Sequence, residues 1–257
     1  MRARRAALAS LLASILLAAV PAQAITFGEL DEGRHPNVGS MVVVSDDERW
    51  QICTGTLVSP TVVLTASHCL AWLEPAGIKP EQVFVTFSDE VDEDAILLHG
   101  MPHMHPAYGH DMGNLYDIGV IVLDQPVAGI TPASLPPEGL LDALKLRTQR
   151  FVAVGYGGVR EIKEKGPQAI FYDNQRRWVE QGFRSLTKAW LNLSMNPSTG
   201  NGGTCYGDSG GPHFLEGTDL VVSLTMTGDT PCRATDHTYR IDTPWSLDFL
   251  AGFLAQP

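Results

Sequence analysis

After its first 24 residues the sequence has no long apolar run, no basic cluster, no heptad pattern and no internal repeat. A helical membrane span needs about 20 apolar residues, so none is predicted in that part of the chain. Lys and Arg together number 18 against 29 Asp and Glu, which gives a formal net charge of −11. Such acidity argues against nucleic acid and anionic membranes as partners.

Cysteine is scarce as well. The four cysteines are Cys53, Cys69, Cys205 and Cys232, and none belongs to a C-x-x-C or C-x-x-H cluster. The cysteines could form disulfides or bind zinc, and the absence of such a cluster makes zinc the weaker interpretation. In an exported chain an even number of cysteines indicates disulfides, and four cysteines allow three pairings.

The first 24 residues have the pattern of an export signal. Arg2, Arg4 and Arg5 precede an apolar run over residues 6–20, and residues 22–24, Ala-Gln-Ala, have the small-x-small pattern of a signal-peptidase site. We therefore expect a signal peptide over residues 1–24 and a secreted, extracellular protein that leaves the membrane when the signal is removed. An uncleaved membrane anchor is the alternative, and the short apolar run argues against it.

The rest of the chain contains many short β-like runs. Val, Ile, Leu, Thr and aromatic residues gather in these runs, and Gly, Pro, Asp and Asn lie between them. Many short strands of this kind are typical of β-barrels and β-sandwiches. The runs are residues 41–44, 54–58, 62–66, 83–87, 118–123, 151–154, 220–225 and 238–241.

A helix is predicted at the end of the chain. Thr243 is a suitable N-cap, Pro244 suits the first helical position, and the apolar residues that follow share one face. Residues 140–147 favour a further helical turn. The Pro- and Gly-rich residues 128–139 are the natural linker between two halves that contain two cysteines each.

The candidate nucleophile is Ser209, in Gly-Asp-Ser-Gly-Gly-Pro at residues 207–212. A serine hydroxyl needs an imidazole to accept its proton, and the imidazole needs a carboxylate to orient it. Gly-x-Ser-x-Gly also marks the nucleophile elbow of α/β-hydrolases, in which the Asp and His follow the Ser. The 48 residues that follow Ser209 in the 257-residue chain are too few to complete a doubly wound sheet, so the partners are expected upstream.

Two upstream segments supply them. His68 lies in Thr-Ala-Ser-His-Cys after the apolar residues 62–64, and Asp117 heads the apolar run 118–123. With its three motifs in the order His, Asp, Ser, the sequence resembles the chymotrypsin/trypsin family of serine endopeptidases. The resemblance covers essentially the whole chain after residue 24. It is specific because all three motifs occur at compatible intervals.

The resemblance implies an all-β fold of two six-stranded antiparallel β-barrels with a C-terminal α-helix. The N-terminal barrel would span about residues 25–130, the C-terminal barrel about residues 131–257, and the active site would lie between them. It also implies the disulfides Cys53–Cys69 and Cys205–Cys232. The cysteines for two further bridges of vertebrate members are missing.

The resemblance also implies roles for individual residues. Ser209 would be the nucleophile, His68 the general base and then acid, and Asp117 the orienting carboxylate. The backbone N–H groups of Gly207 and Ser209 would form the oxyanion hole.

Family members insert a free N-terminal Ile or Val beside the Asp that precedes the nucleophile. Signal cleavage after Ala24 would expose Ile25 in Ile-Thr-Phe-Gly. We therefore expect the Ile25 ammonium to pair with Asp208 without a separate propeptide.

The specificity pocket departs from the best-known members. Gly203 takes the position, six residues before the nucleophile, that is acidic in trypsin, so a simple preference for Arg or Lys is not predicted. Met226, Thr227 and Gly228 replace a Ser-Trp-Gly strand, which puts Met where a hydroxyl normally supports the orienting aspartate. Thr225 or Thr227 would have to compensate.

One acidic residue would restore a basic preference. Asp236 is expected near the back wall of the pocket, and brachyurin-type collagenases have a comparable Gly/Asp exchange. A gap of one residue would place His237 there instead.

No metal or cofactor is predicted. His103 and His105 resemble a surface segment of the family without a third ligand at a suitable spacing, and the acidic residues 46–48 and 89–94 have no EF-hand-like spacing. The predicted protein is a monomeric serine endopeptidase that acts on protein or peptide substrates through an acyl-enzyme. Two alternatives stay open: a catalytically silent binding module on the same fold, and an esterase whose natural substrate is not a peptide.

Overall fold

The computed structural model describes residues 25–46, 48–111, 113–160 and 169–254, so the predicted signal peptide lies outside the described residues. The described helices are α1 Ser67–Ala71, α2 Leu140–Ala143 and α3 Pro244–Leu254, and none is long and apolar enough to cross a bilayer. The described strands are β1 Glu29–Leu30, β2 Val38–Ser45, β3 Glu48–Ser59, β4 Val62–Thr65, β5 Val83–Thr86, β6 Leu98–Met104, β7 Gly119–Leu123, β8 Arg150–Gly155, β9 Val159–Arg160, β10 Ile170–Phe171, β11 Arg177–Leu186, β12 Trp190–Ser194, β13 Pro212–Leu215, β14 Val221–Gly228 and β15 Thr235–Arg240.

Six strands close the first barrel in the order β2-β3-β4-β7-β6-β5, and β5 pairs back onto β2. Successive residues of a strand point to opposite faces, and β2 shows the consequence. Met41 and Val43 belong to the apolar cluster of this barrel, whereas Val42 packs in a second cluster with residues of the other barrel, including Phe214 and Leu224. The alternation of apolar residues thus fills the barrel and also joins the two halves.

The second barrel runs β11-β12-β15-β14-β13-β8 and closes through the pairing of β8 with β11, while β1 adds to the outer edge of β11. Phe151, Leu191, Leu193 and Val222 contribute to its apolar cluster. The predicted fold of two six-stranded antiparallel barrels with a C-terminal helix is confirmed.

All eight predicted runs overlap barrel strands, but β6, β11, β12 and β13 were not among them. In β6 the reason is composition, since Gly100 and Pro102 are typical of turns. A Cβ at Gly100 would lie 3.0 Å from the Val122 carbonyl oxygen, so the close approach of β7 requires glycine there. Gly100, which makes β6 hard to predict from the sequence, is thus the residue that allows β6 to pair with β7.

The helix predictions hold with smaller differences. α3 begins at Pro244, as predicted, and the Thr243 hydroxyl bonds Ser246 Oγ at 2.8 Å. Residues 140–147 form the short α2 and the start of a 3-10 turn, Leu146–Thr148.

Candidate active site

Ser209 lies in the loop that leads into β13, and glycines fix its position. Gly207 and Gly210 have φ of +98° and +76°, a region that residues with a Cβ rarely adopt. A Cβ at Gly210 would come within 2.7 Å of the Thr54 carbonyl oxygen. The Thr54 N–H donates a hydrogen bond to the Ser209 carbonyl at 2.9 Å, so β3 of the first barrel holds the loop across the cleft.

His68 lies in α1, directly after β4. A disulfide joins its neighbour Cys69 to Cys53 in β3, as the resemblance implied. Both cysteines are buried, whereas the imidazole side chain of His68 is 28% exposed. The disulfide anchors a helix of only five residues while its histidine stays open to the cleft.

Asp117 holds His68 in one orientation. The carboxylate is 1% exposed and accepts two hydrogen bonds of 2.8 Å, one from the backbone N–H of His68 at Oδ1 and one from its Nδ1 at Oδ2. A proton on Nδ1 leaves Nε2 as a proton acceptor.

A cavity of about 370 Å³ connects these residues to the rest of the site. Within the described residues Ser209 Oγ makes no hydrogen bond. In free enzymes the contact between a nucleophilic hydroxyl and its general base is often long, and it shortens when substrate binds. The residues that line the cavity are His68, Thr204, Cys205, Tyr206, Ser209, Thr225, Met226, Thr227, Gly228, Asp229, Thr230 and Cys232.

The resemblance predicted that Met226 takes the position where the family carries a hydroxyl beside the orienting aspartate, and that Thr225 or Thr227 would have to compensate. Neither Thr225 nor Thr227 compensates among the described contacts, in which Asp117 accepts hydrogen bonds from His68 alone. Thr225 instead uses its backbone, since its carbonyl accepts from the Gly210 N–H at 2.8 Å. The orientation of His68 therefore depends on the two hydrogen bonds that its own backbone N–H and Nδ1 donate to Asp117.

Asp208 is the buried carboxylate next to the nucleophile. It is 0% exposed and accepts hydrogen bonds from the N–H groups of Gly157 at 2.7 Å and Cys205 at 2.8 Å. Burial raises the pKa of Asp208 to about 7, because the two N–H groups replace only part of the lost hydration. A group so placed is stabilised as an anion only if a cation joins it.

Ile25 packs against two strands of the second barrel. Its side chain is 0% exposed and packs with Ala153 and Val179. The next residue, Thr26, forms an antiparallel bridge with Gly203, whose N–H donates to the Thr26 carbonyl at 2.9 Å. The segment that would begin the mature chain thus lies along the segment that leads to Asp208.

Of the residues predicted to form the specificity pocket, some line the cavity and others do not. Thr227 and Gly228 line the cavity, together with the disulfide Cys205–Cys232 that the resemblance implied. Gly203 does not line it, because Met195 covers that position: a Cβ at Gly203 would meet Met195 Sδ at 2.6 Å.

Asp236 lies behind the cavity wall. It is 0% exposed, pairs with Gly228 across β14 and β15, and accepts a hydrogen bond of 2.6 Å from the Thr204 hydroxyl. Gln181 Nε2 and His213 Nε2 each lie 3.0 Å from the same carboxylate oxygen, Oδ2. The alternative residue, His237, is exposed and its Nδ1 bonds Asn192 at 2.6 Å.

Sequence reasoning missed Gln181 and His213. Both are 0% exposed. His213 is the one polar residue of β13, whereas Gln181 is one of several polar residues on β11. They meet Asp236 on β15 only because the barrel closes. The proximity of His213 to the serine motif was a weak signal, since most histidines near a motif have no part in it.

His103 and His105 pack against aromatic rings. His105 stacks on Tyr116 at 4.8 Å and lies 5.0 Å from Phe249, while His103 lies 5.2 Å from Phe253. Burial lowers the pKa of His105. These contacts account for both side chains by packing.

A possible ligand group among the described residues joins His68 to Cys53 and Cys69. Both sulfurs are already bonded to each other, so neither is a thiolate ligand.

Fold and site together define a double-barrel serine endopeptidase. The sequence profile of the trypsin family matches residues 29–248, and the chain belongs to this family. A trypsin from Saccharopolyspora erythraea is 27% identical over 186 residues, which are 71% of this chain and 78% of that protein. The solved structure of HL collagenase has the same fold, with a TM-score of 0.63 at 15% identity over 88% of this chain and 96% of the other.

Proposed function

We propose that this protein is a secreted serine endopeptidase that cuts peptide bonds through an acyl-enzyme on Ser209. The observation that carries the proposal is the bond of 2.8 Å between His68 Nδ1 and the buried Asp117, which leaves Nε2 to accept a proton in a cavity that Ser209 also lines. Membership of the trypsin family supports the same reaction class.

The reaction follows from these positions. His68 Nε2 takes the proton of the Ser209 hydroxyl as Oγ attacks the substrate carbonyl carbon. The tetrahedral intermediate collapses, the C–N bond breaks, and His68 gives the proton to the leaving amine. Water then attacks the ester on Ser209 with His68 as base again, which releases the acid and restores the serine. Asp117 keeps its charge and stabilises the imidazolium in both halves.

The oxyanion would be held by the N–H groups of Gly207 and Ser209. Their loop is anchored to the first barrel, because the Gly207 carbonyl accepts from Gln51 Nε2 at 3.1 Å and from the Thr54 hydroxyl at 3.0 Å. Donors fixed before reaction need no reorganisation, and one donor is worth roughly 10²–10³ in rate.

Removal of the signal peptide, residues 1–24, would also activate the protein. The new Ile25 ammonium would supply the cation that the buried Asp208 needs. N-terminal sequencing of the secreted protein tests this step, and a start other than Ile25 would contradict it.

The specificity pocket is assigned to Thr204, Thr227 and Gly228, with the Asp236 carboxylate behind them. A buried anion at this depth favours Arg or Lys before the cut. The proposed substrates are therefore extended peptide segments that contain Arg or Lys.

A stopped-flow experiment tests the mechanism. A nitrophenyl ester should release one equivalent of nitrophenol per Ser209 in a burst, followed by slower turnover, because acylation outruns deacylation. The Ser209→Ala variant should show no burst. Hydrolysis of peptide amides by the wild type separates an endopeptidase from an esterase, and failure of both reactions in a folded protein would favour a silent binding module.

A further inference from the structure

We propose that His213 sets the charge that the floor of the specificity pocket presents, so that preference for Arg or Lys is strong when His213 is neutral and is lost when it is protonated. The inference rests on the proposed peptidase activity and on Asp236 as the pocket's acid. His213 would be a positioning residue that acts through Asp236.

The geometry of the cluster carries the first step. His213 on β13 and Asp236 on β15 are both 0% exposed, and His213 Nε2 lies 3.0 Å from Asp236 Oδ2. Gln181 and Thr204 donate to the same oxygen at 3.0 and 2.6 Å. Three donors therefore saturate Oδ2, while Oδ1 has no hydrogen-bond partner among the described residues.

The hydrogen bonds of His213 decide which charge state the cluster accommodates. Nδ1 is buried and has no partner among the described residues. In the neutral ring with a proton on Nε2, Nδ1 is only an unfilled acceptor. In the imidazolium Nδ1 becomes a buried N–H without an acceptor, which is costlier. The neutral ring leaves Asp236 with its full negative charge, whereas protonation makes the pair neutral.

The cavity wall is thin at this point. Thr204 lines the cavity and donates its hydroxyl to Asp236, and Gly228, which also lines the cavity, is paired with Asp236 across β14 and β15. A glycine offers no side chain to cover the carboxylate. Only Thr204 and Gly228 would therefore lie between the Asp236 carboxylate and a lysine or arginine side chain in the pocket.

Other charged groups near the cluster behave differently. Asp208 faces it from the nucleophile loop, and the charge of Asp236 contributes to the raised pKa of Asp208. Asp208 adjoins the nucleophile, so its protonation should affect all substrates alike.

Asp229 lines the cavity. Burial alone would raise the pKa of Asp229, but hydrogen bonds from the backbone N–H groups of residues 233–235 outweigh burial and lower it. The carboxylate therefore stays ionised where histidines titrate. The neighbours of the cluster on β8 and β14, Ala153 and Ser223, carry no charge.

The test is a ratio of two rates on the mature protein. The kcat/KM for a peptide anilide with Arg before the cut is divided by that for the matched peptide with Leu, from pH 8 to pH 5. Both substrates need the same base, so protonation of His68 cancels. We expect the ratio to fall about tenfold on acidification, which corresponds to losing about 1.4 kcal/mol of ion pairing.

Two variants and one control make the test specific. His213→Gln keeps an amide donor for Asp236 without a titrating ring, so its ratio should stay high at every pH. Asp236→Asn should have a low ratio throughout. His237→Gln changes an exposed neighbour on the same strand and should follow the wild type.

A wild-type ratio that does not change with pH, or a His213→Gln ratio that falls like the wild type, would overturn the inference. In either case turnover of the Leu peptide would leave the peptidase proposal standing. Turnover of neither peptide by correctly folded protein would overturn both.

Discussion

The two barrels bury different kinds of polar residue. In the strands of the first barrel the buried polar side chains all carry hydroxyl groups: Ser40, Thr54, Thr56, Thr65 and Thr86. The strands of the second barrel bury ionisable and amide side chains as well: Arg177, Gln181, His213, Asp236 and Arg240. The first barrel thus presents His68 and Asp117 at its strand ends, whereas the second contains the buried charges to which we assign activation and specificity.

The largest effect is expected at the pair of His68 and the buried Asp117 in the first half. Asp117→Asn should lower kcat/KM by about 10⁴, because an amide cannot stabilise the imidazolium or fix the tautomer of His68. Steady-state hydrolysis of a peptide substrate measures it. Asp124 supplies a control, since it makes an equivalent bond of 2.7 Å to His99 Nδ1 but is 58% exposed. Activity of Asp124→Asn should match the wild type, and equal losses in both variants would contradict the assignment.

The next effect concerns Asp208 in the second half. Its pKa is raised from 3.8 to about 7 by burial in the uncleaved chain, so the folded state holds a proton that the unfolded state releases near pH 4. A Ser209→Ala chain with one Ala before Ile25 should therefore lose up to about 4 kcal/mol of unfolding free energy as the pH rises from 4 through 7. Urea unfolding at several pH values measures this loss.

The same chain that begins at Ile25 is the control for that experiment. Its ammonium should neutralise Asp208 and remove most of the loss. Parallel pH profiles for the two chains would show that the ammonium does not reach the carboxylate.

A smaller effect is expected where the halves join. Arg176 is 2% exposed, bonds Asp31 at 2.9 Å, and donates to the carbonyls of Val38 and Phe87 at 3.0 Å. Burial would raise the pKa of Asp31, but hydrogen bonds from His35 and the Arg176 charge outweigh it and lower the pKa. Arg176→Met should cost about 3 kcal/mol of unfolding free energy, since it leaves a buried carboxylate with His35 as its remaining partner.

The matched control for Arg176 is Arg34, whose exposed guanidinium lies 3.2 Å from Glu29. Arg34→Met should change the unfolding free energy by no more than about 0.5 kcal/mol. Urea denaturation measures both variants. A similar cost for the two would mean that burial of the Arg176 charge is not what joins the halves.

The sequence predicts the first barrel and the reacting groups better than the second barrel. Strands such as residues 62–65 are mostly apolar runs, and His68, Asp117 and Ser209 each lie in a short local motif. Both disulfides implied by the resemblance are confirmed.

The cluster around Asp236 is not visible in the sequence. Gln181, His213 and Asp236 are separated by 32 and 23 residues, and β11 interrupts its apolar pattern with charged side chains. Local propensity cannot predict which polar residues will meet inside a closed barrel, because closure is a property of the whole sheet. Successive residues of β15 point to opposite faces, so Asp236 is buried and His237 is exposed, and the sequence does not show which of the two faces the interior.

Reaction of the mature protein with a fluorophosphonate tests the central claim most directly. Mass spectrometry of the digested adduct should find one label per chain, on Ser209, with peptide hydrolysis lost in proportion to labelling. Neither labelling nor hydrolysis should occur in Ser209→Ala. A label on another residue, or peptide hydrolysis that survives in Ser209→Ala, would contradict the account.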